Sequence, residues 1–440
     1  MDPAEKPSLR QAALASAGLS VFFLAIYGTT NALASLRTAV PSLNFAWESR
    51  IPVIPLFILP YLSSDLFFTA APFVARSHRE LAVIVKRLAF ATLIAGIIFL
   101  LFPQKFAYPR PEFPGFLGLG FSIFHSMDPP FNEFPSLHIA FCLILGDLYL
   151  RHTRGILRAL TAIWFILLFL SPIFTWQHHL LDIAGGFVLG ALCIHFFDIE
   201  PLRQPTTGNR RVRNHYLVGA AAFALLSVAW GPWTWLLLWP AFSLLLAALG
   251  YAYIGPGIYR KKHGRLTWTT WFFLWPLLLG QRFSLIHYAR RAGRWDRLTD
   301  QVWIGSRLNP SDARDLHAQG ITAILDLTCE FSEAAALRQL AYMQLPILDL
   351  TAPTPTQAAD AIAFIQHHAA DGIVYVHCKL GFSRTAAIAG AYLLATGAAV
   401  TPDEAAAMLA RARPGIIIRP EARHAIEHFA ARPVPLTANA

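Results

Sequence analysis

The chain has 440 residues, of which 55% are hydrophobic and only 14% charged, against about 25% charged residues in an average soluble domain. The formal net charge of +10 is unevenly spread: from Arg297 onward 11 Lys and Arg stand against 13 Asp and Glu, so the basic excess lies wholly before that point. It sits in short loops between apolar runs, which argues against a nucleic-acid surface and for membrane topology.

Apolar runs long enough for a bilayer fall near 12–34, 51–75, 86–103, 136–150, 157–177, 182–199, 216–232 and 234–255. The first ends in "ALAS", which resembles a signal-peptidase site, but its length suits an uncleaved span better. Basic loops follow every second run: "RSHRE" with Lys86 and Arg87, then "RHTRGILR", "GNRRVRNH" and "YRKKHGR". The positive-inside rule sets all four in the cytoplasm and the loops at 104–135 and 175–181 outside. "LTWTTWFFLWPLLLG" (266–280) reads as an interfacial or re-entrant helix, because crossing would carry Arg282, Arg290, Arg291 and Arg294 outward. The expected location is a multi-pass protein of a bacterial inner membrane, with membrane lipids as partners and a cytoplasmic carboxy-terminal domain.

After Trp295 the pattern becomes alternating strands and helices. "VWIGS", "ITAILDLT", "MQLPILDL" and "IVYVHC" read as strands. "SDARDLHAQG", "SEAAALRQL", "TPTQAADAIAFIQHHAADG", "RTAAIAGAYLLATG" and "TPDEAAAMLARARP" read as helices, with Ser311, Ser332 and Thr401 as N-caps and Gly320, Gly372 and Gly397 as stops. The fold class is thus an α-helical polytopic membrane domain (1–200), two further spans with basic loops and an interfacial helix (201–296), and an α/β domain (297–440). The four cysteines, Cys142, Cys193, Cys329 and Cys378, form no CxxC pair and no metal-ligand spacing. That pattern suits a reducing compartment.

The α/β region carries "HCKLGFSRT" directly after a β-branched strand and before an alanine-rich helix. Loop N–H groups, the helix amino end and Arg384 would lower the pKa of Cys378 and cradle a phosphate. Gly381 permits the tight loop, Lys379 and Ser383 join the phosphate-binding set, and Thr385 can hydrogen-bond the departing thiolate. His377 would orient the loop from the strand side. Asp349, at a strand end, is the candidate general acid, with Asp326 in the similar "ILDLT" as its rival. These residues resemble the dual-specificity branch of the cysteine phosphatases, signature HCxxGxxR followed by Ser or Thr, over roughly 300–431. The resemblance implies phosphomonoester hydrolysis without metal or cofactor, on a phosphorylated lipid or protein.

The outward loops hold a second set: "KFAYPRP", "NEFPSLH" and "SPIFTWQHHLLD". His178 and Asp182, at i and i+4, are expected on one helix face, where the carboxylate would leave the other imidazole nitrogen free to attack phosphorus. His138 would protonate the leaving group, and Arg110, Lys105 and Ser136 would bind phosphate oxygens. His179 is the rival nucleophile. Glu48 and Asp65 are candidates for headgroup contacts or for a solvated rim. This set resembles the type 2 phosphatidic acid phosphatase superfamily, whose motifs read K-x6-RP, PSGH and SR-x5-H-x3-D. Here Pro172 stands for the Arg, Leu137 for the Gly, and Lys105 lies two residues closer to Arg110. The branch that includes inositol-phosphoceramide synthases tolerates the "PSLH" and "HxxLD" forms. The resemblance therefore leaves three readings open: a lipid phosphatase, a headgroup phosphotransferase, or an inert lipid-binding anchor. The sequence says nothing of oligomeric state.

Overall fold

The computed structural model describes residues 5–229, 231–289 and 293–431, so Arg290 and Arg291 lie outside the described residues. It forms two compact units, Met1–Glu200 and Pro201–Ala440.

The first unit is helical: α1 (Leu9–Ser35), α2 (Ile58–Val74), α3 (His78–Leu101), α4 (Gly115–Met127), α5 (Leu137–His152), α6 (Gly155–Phe174) and α7 (Leu180–Phe196). Ser8 and Ser77 cap α1 and α3, each hydroxyl accepting a first-turn N–H. Helices α5 and α7 pack closest at Gly186, where a Cβ would lie 2.3 Å from the Ser136 carbonyl oxygen. This approach brings the start of α7 against the start of α5, where the candidate residues lie. Arg87 is inside α3 rather than in a loop; it is 2% exposed and pairs with Asp147 at 2.6 Å. A buried arginine so neutralised adds little to the loop charge on which topology depends.

The second unit opens with α8 (Arg210–Ala229) and α9 (Leu238–Leu249). A π-turn (Gly250–Ile254) and a 3-10 turn (Gly255–Tyr259) lead into a hairpin, β1 (Lys261–Lys262) and β2 (Arg265–Leu266). Then come α10 (Trp268–Ala289), β3 (Trp295–Arg297), β4 (Val302–Ser306), α11 (Pro310–Ala318), β5 (Ile321–Asp326) and β6 (Ala341–Gln344). The chain continues through α12 (Pro355–Ala369), β7 (Ile373–Cys378), α13 (Ser383–Ala395), α14 (Pro402–Ala412) and α15 (Pro420–Ala431). The sheet order is β3-β4-β7-β5-β6, parallel except for edge strand β3. β7 lies at its centre, and its "VYVHC" is buried throughout, as a parallel strand covered on both faces requires.

Among the described residues six helical segments are long and apolar enough to cross a membrane: Leu9–Ser35, Pro55–Val74, His78–Leu101, Gly155–Phe174, Arg210–Ala229 and Trp233–Tyr259. Of the eight expected runs, those in α5 and α7 fall short at 16 and 17 residues. At 1.5 Å per residue they reach about 25 Å, below the ~30 Å of a hydrocarbon core. Helix α10 is not among the six.

Other local expectations need correction. "SEAAALRQL" is not an α-helix but loop with a single 3-10 turn, Leu337–Gln339. Ser332 caps nothing; its hydroxyl accepts from Leu266 N–H, and Glu333 is drawn inward to His377. The cap of α11 is Asn309, two residues before Ser311, because its Oδ1 accepts from both Ser311 and Asp312 N–H. Of "MQLPILDL" only Met343 and Gln344 are strand, the end of β6 (Ala341–Gln344); the rest turns through Leu350, at φ +59°.

Candidate active sites

In the second unit, β7 ends at Cys378 and α13 begins at Ser383, so the intervening loop points amides into one small volume. Gly381 makes the loop possible: its φ is +68°, and a Cβ there would sit 2.4 Å from the Gly305 carbonyl carbon. Burial raises the thiol's proton affinity. Arg384, the Thr385 hydroxyl and the N–H groups of Thr385 and Leu380 oppose it, and the net shift is downward. The balance favours the thiolate form. The Thr385 side chain is fully buried with no other polar partner.

Arg384 is fixed by a residue that sequence reasoning missed. Its two terminal nitrogens donate to Glu330 at 2.6 and 3.1 Å and to the Ile347 carbonyl at 2.9 Å. Burial pushes the Glu330 carboxyl up, but the Arg384 guanidinium prevails and holds it low, at about 2. The Nε of Arg384 stays buried and unpaired, a donor available to a phosphate oxygen. Asp349 joins this cluster: its carboxylate lies 3.5 Å from both Arg384 and Lys379. Its rival Asp326 is fully buried elsewhere, accepting from Lys261 Nζ at 2.5 Å and Tyr342 hydroxyl at 2.6 Å. Ser383, nearly buried, opens α13. Behind the loop, His377 Nε2 lies 2.7 Å from Glu333. Burial disfavours its cation, but Glu333 and Asp326 win and raise its pKa.

In the first unit, His138 and His178 line one cavity of about 460 Å³, with Tyr27, Tyr61, Asp65 and Asp128 among its walls. His138 stacks on Tyr61 at 4.2 Å and its Nε2 lies 3.5 Å from the Ser171 hydroxyl. His178 and Asp182 stay close but do not share a helix face. Helix α7 starts only at Leu180, because Asp182 accepts from His179 N–H at 2.9 Å and so caps its own helix. His178 precedes the helix; its Nδ1 is 3.8 Å from Asp182 but 2.9 Å from Glu133. Burial opposes the His178 cation, yet Glu133 and Asp182 raise its pKa well above the ordinary value. Glu133 lies in the quoted "NEFPSLH"; its one signal was a carboxylate beside an apolar segment.

The remaining residues are not gathered around His178. Both ring nitrogens of His179 are occupied, Nε2 accepting from Ala107 N–H at 3.0 Å and Nδ1 lying 2.8 Å from Glu48. Arg110 donates to the Asp128 carbonyl at 2.6 Å. Ser136 is fully buried and caps α5, and Lys105 is exposed. None of these four lines the cavity. Arg110 spends one terminal nitrogen on backbone and Ser136 its hydroxyl on a helix end.

Among the described residues two clusters have donor atoms close enough for a metal ion, Glu133–His178–Asp182 and Asp326–Glu333–His377, each within 4.8 Å. In the second, the Lys261 ammonium already supplies the positive charge.

Residues 302–430 match the family described as dual specificity phosphatase, catalytic domain. The chain is therefore a phosphatase in at least this region. Among solved structures, Tk-PTP in its active form is similar at 20% identity, covering 31% of this chain and 97% of that chain, with a TM-score of 0.29. PTPMT1 in complex with PI(5)P is similar at 22%, over 32% and 96%, with 0.29. Human DUSP28 is similar at 21%, over 32% and 94%, with 0.27. No curated protein matches the chain.

Proposed function

We propose that the chain is an integral membrane, bifunctional phosphatase. In the cytoplasmic domain the Cys378 thiolate attacks phosphorus of a phosphomonoester carried by a lipid or a protein. Arg384 and the loop amides take the equatorial oxygens, Asp349 protonates the leaving alkoxide, and water then releases phosphate from the phosphocysteine. The observation that carries this reading is the convergence of a depressed Cys378, the unpaired Nε of Arg384 and Asp349 at 3.5 Å from that guanidinium. In the helical region His178 is the nucleophile toward a lipid phosphate on the outer face, with His138 as acid and Asp182 and Glu133 holding its Nδ1 side.

A second reading of the helical region, headgroup phosphotransfer, has one observation in its favour. Among the described residues the His178 cavity has Asp65, Asp128 and Asn132 in its walls and neither Lys nor Arg, which suits a hydroxyl-bearing or cationic acceptor better than a second anion. The test is purified full-length protein against a panel of phospholipids, with Cys378→Ser and His178→Ala measured separately. Free phosphate in both single variants supports two phosphatases. Label appearing on an acceptor lipid, and lost with His178→Ala, replaces hydrolysis by transfer.

A further inference from the structure

Helix α10 runs past the catalytic loop and contributes to it. Lys379, the residue after the nucleophile, donates to Gln281 Oε1 at 2.8 Å and Ser284 Oγ at 3.0 Å, one turn apart on α10. These acceptors keep its ammonium at the site, 3.5 Å from Asp349, with a side chain only 7% exposed. The acid loop is tied from the same side. The Tyr251 hydroxyl donates to the Asp349 carbonyl at 2.8 Å, and Asn209 Nδ2 to the Leu350 carbonyl at 2.8 Å. The Thr207 hydroxyl reaches the Ala352 carbonyl at 3.0 Å. Residues 201–296 thus build one wall of a site whose nucleophile lies in the phosphatase domain.

That wall is polar toward Cys378 and apolar elsewhere. Beside Ser284 on α10, Phe283 is 63% and Ile286 50% exposed, and Trp271 and Trp275 extend the same kind of surface along the helix. On α8, Leu225 and Val228 are exposed at 70% and 77%, in a segment apolar enough to cross a membrane. Large exposed apolar surface of this kind, banded with Trp, belongs at a lipid interface. A phosphate reaching Cys378 along α10 comes from the side where acyl chains are at home.

We infer that Gln281 and Ser284 are positioning residues that present Lys379 to the headgroup of a lipid phosphomonoester, whose apolar tail stays in the membrane beside α10 and α8. The inference rests on Cys378 being the nucleophile and narrows its substrate from lipid or protein to lipid. Without Gln281 and Ser284 the ammonium can close on Asp349 or swing to solvent, and headgroup binding suffers.

The test uses full-length protein with His178→Ala as background, so that only the Cys378 site acts. It is reconstituted in phosphatidylcholine vesicles containing phosphatidic acid, phosphatidylglycerol phosphate or a monophosphorylated phosphatidylinositol. A phosphotyrosine peptide and an aryl phosphate are the soluble comparators, and thermal unfolding monitors the fold. The expected result is a lipid turned over faster than the peptide. Gln281→Ala/Ser284→Ala should cut the ratio of lipid to aryl kcat/KM tenfold or more, chiefly through KM, and Ser284→Thr on the wild-type Gln281 should retain it. A ratio unchanged within twofold in a folded double variant, or a peptide preferred over every lipid, overturns the inference. Lipid hydrolysis that survives Cys378→Ser in this background overturns instead the reading on which it rests.

Discussion

Cys378 owes its place to backbone: it ends a strand held between two parallel neighbours, and consecutive residues after it supply the loop, the turn and the helix. His178 owes its place to side chains, since carboxylates from two other points of the chain, Glu133 and Asp182, converge on one imidazole that no helix holds. The first arrangement tunes its proposed nucleophile chiefly with the Arg384 cation, helped by the Thr385 hydroxyl and by amide dipoles, none of which titrates near neutral pH. The second tunes it with groups that can. The Cys378 site should therefore tolerate neighbouring substitutions that leave the loop intact, while the His178 site should change its pH behaviour with each carboxylate removed.

The sharpest test of the backbone-held site is Cys378→Ser, expected to lower aryl phosphate turnover by about a thousandfold, since a serine hydroxyl stays protonated where the thiol does not. Retention of more than a few per cent of the rate would remove Cys378 as nucleophile. In the side-chain-held site His178→Ala is expected to abolish its reaction on lipid, a loss of about a hundredfold or more, with Cys378-dependent turnover untouched. A helical region that is only an anchor would show no loss at all. Asp349→Asn should slow poor leaving groups by about a hundredfold and activated aryl esters much less, because only the former need the proton. Equal losses on both would make Asp349 structural.

Smaller effects probe what supports each site. Lys261→Met leaves the fully buried Asp326 without its ammonium, which should cost about 3–5 kcal/mol, read as a lower unfolding midpoint. Asp326→Asn in the same chain should recover part of it. The sign with pH follows from Asp326, whose folded pKa is depressed by Lys261 and His377 in spite of burial. Its stabilisation is present above the unfolded carboxylate value of about 4 and is lost as pH falls through the folded one. A fragment of residues 297–440 lacks Lys261 and should show the same weakness. The smallest expected effect is that of Glu133→Gln. Removing that carboxylate lowers the proton affinity of His178, so neutral imidazole appears at lower pH. The acid limb of the His178-dependent rate should move down by about one pH unit; a limb that stays put would take Glu133 out of the nucleophile's surroundings.

The sequence by itself determined whatever is written in neighbouring residues. The β-branched run of β7, the glycine that turns the loop, the Arg six residues after Cys378 and most apolar helices follow from periodicity and backbone geometry, which are local. It could not assign the partners. Glu330 meets Arg384 across 54 positions, Lys261 meets Asp326 across 65, and Lys379 reaches Gln281 across 98. No spacing rule links such pairs, because ion pairs are chosen by which segments pack together, and packing is settled only when the whole unit folds. Even the local pairing of His178 with Asp182 was decided that way. The spacing allowed one helix face, but the Asp182 carboxylate caps the free N–H of His179 and stands 3.8 Å from the imidazole, while Glu133, brought near by the fold alone, is closer at 2.9 Å.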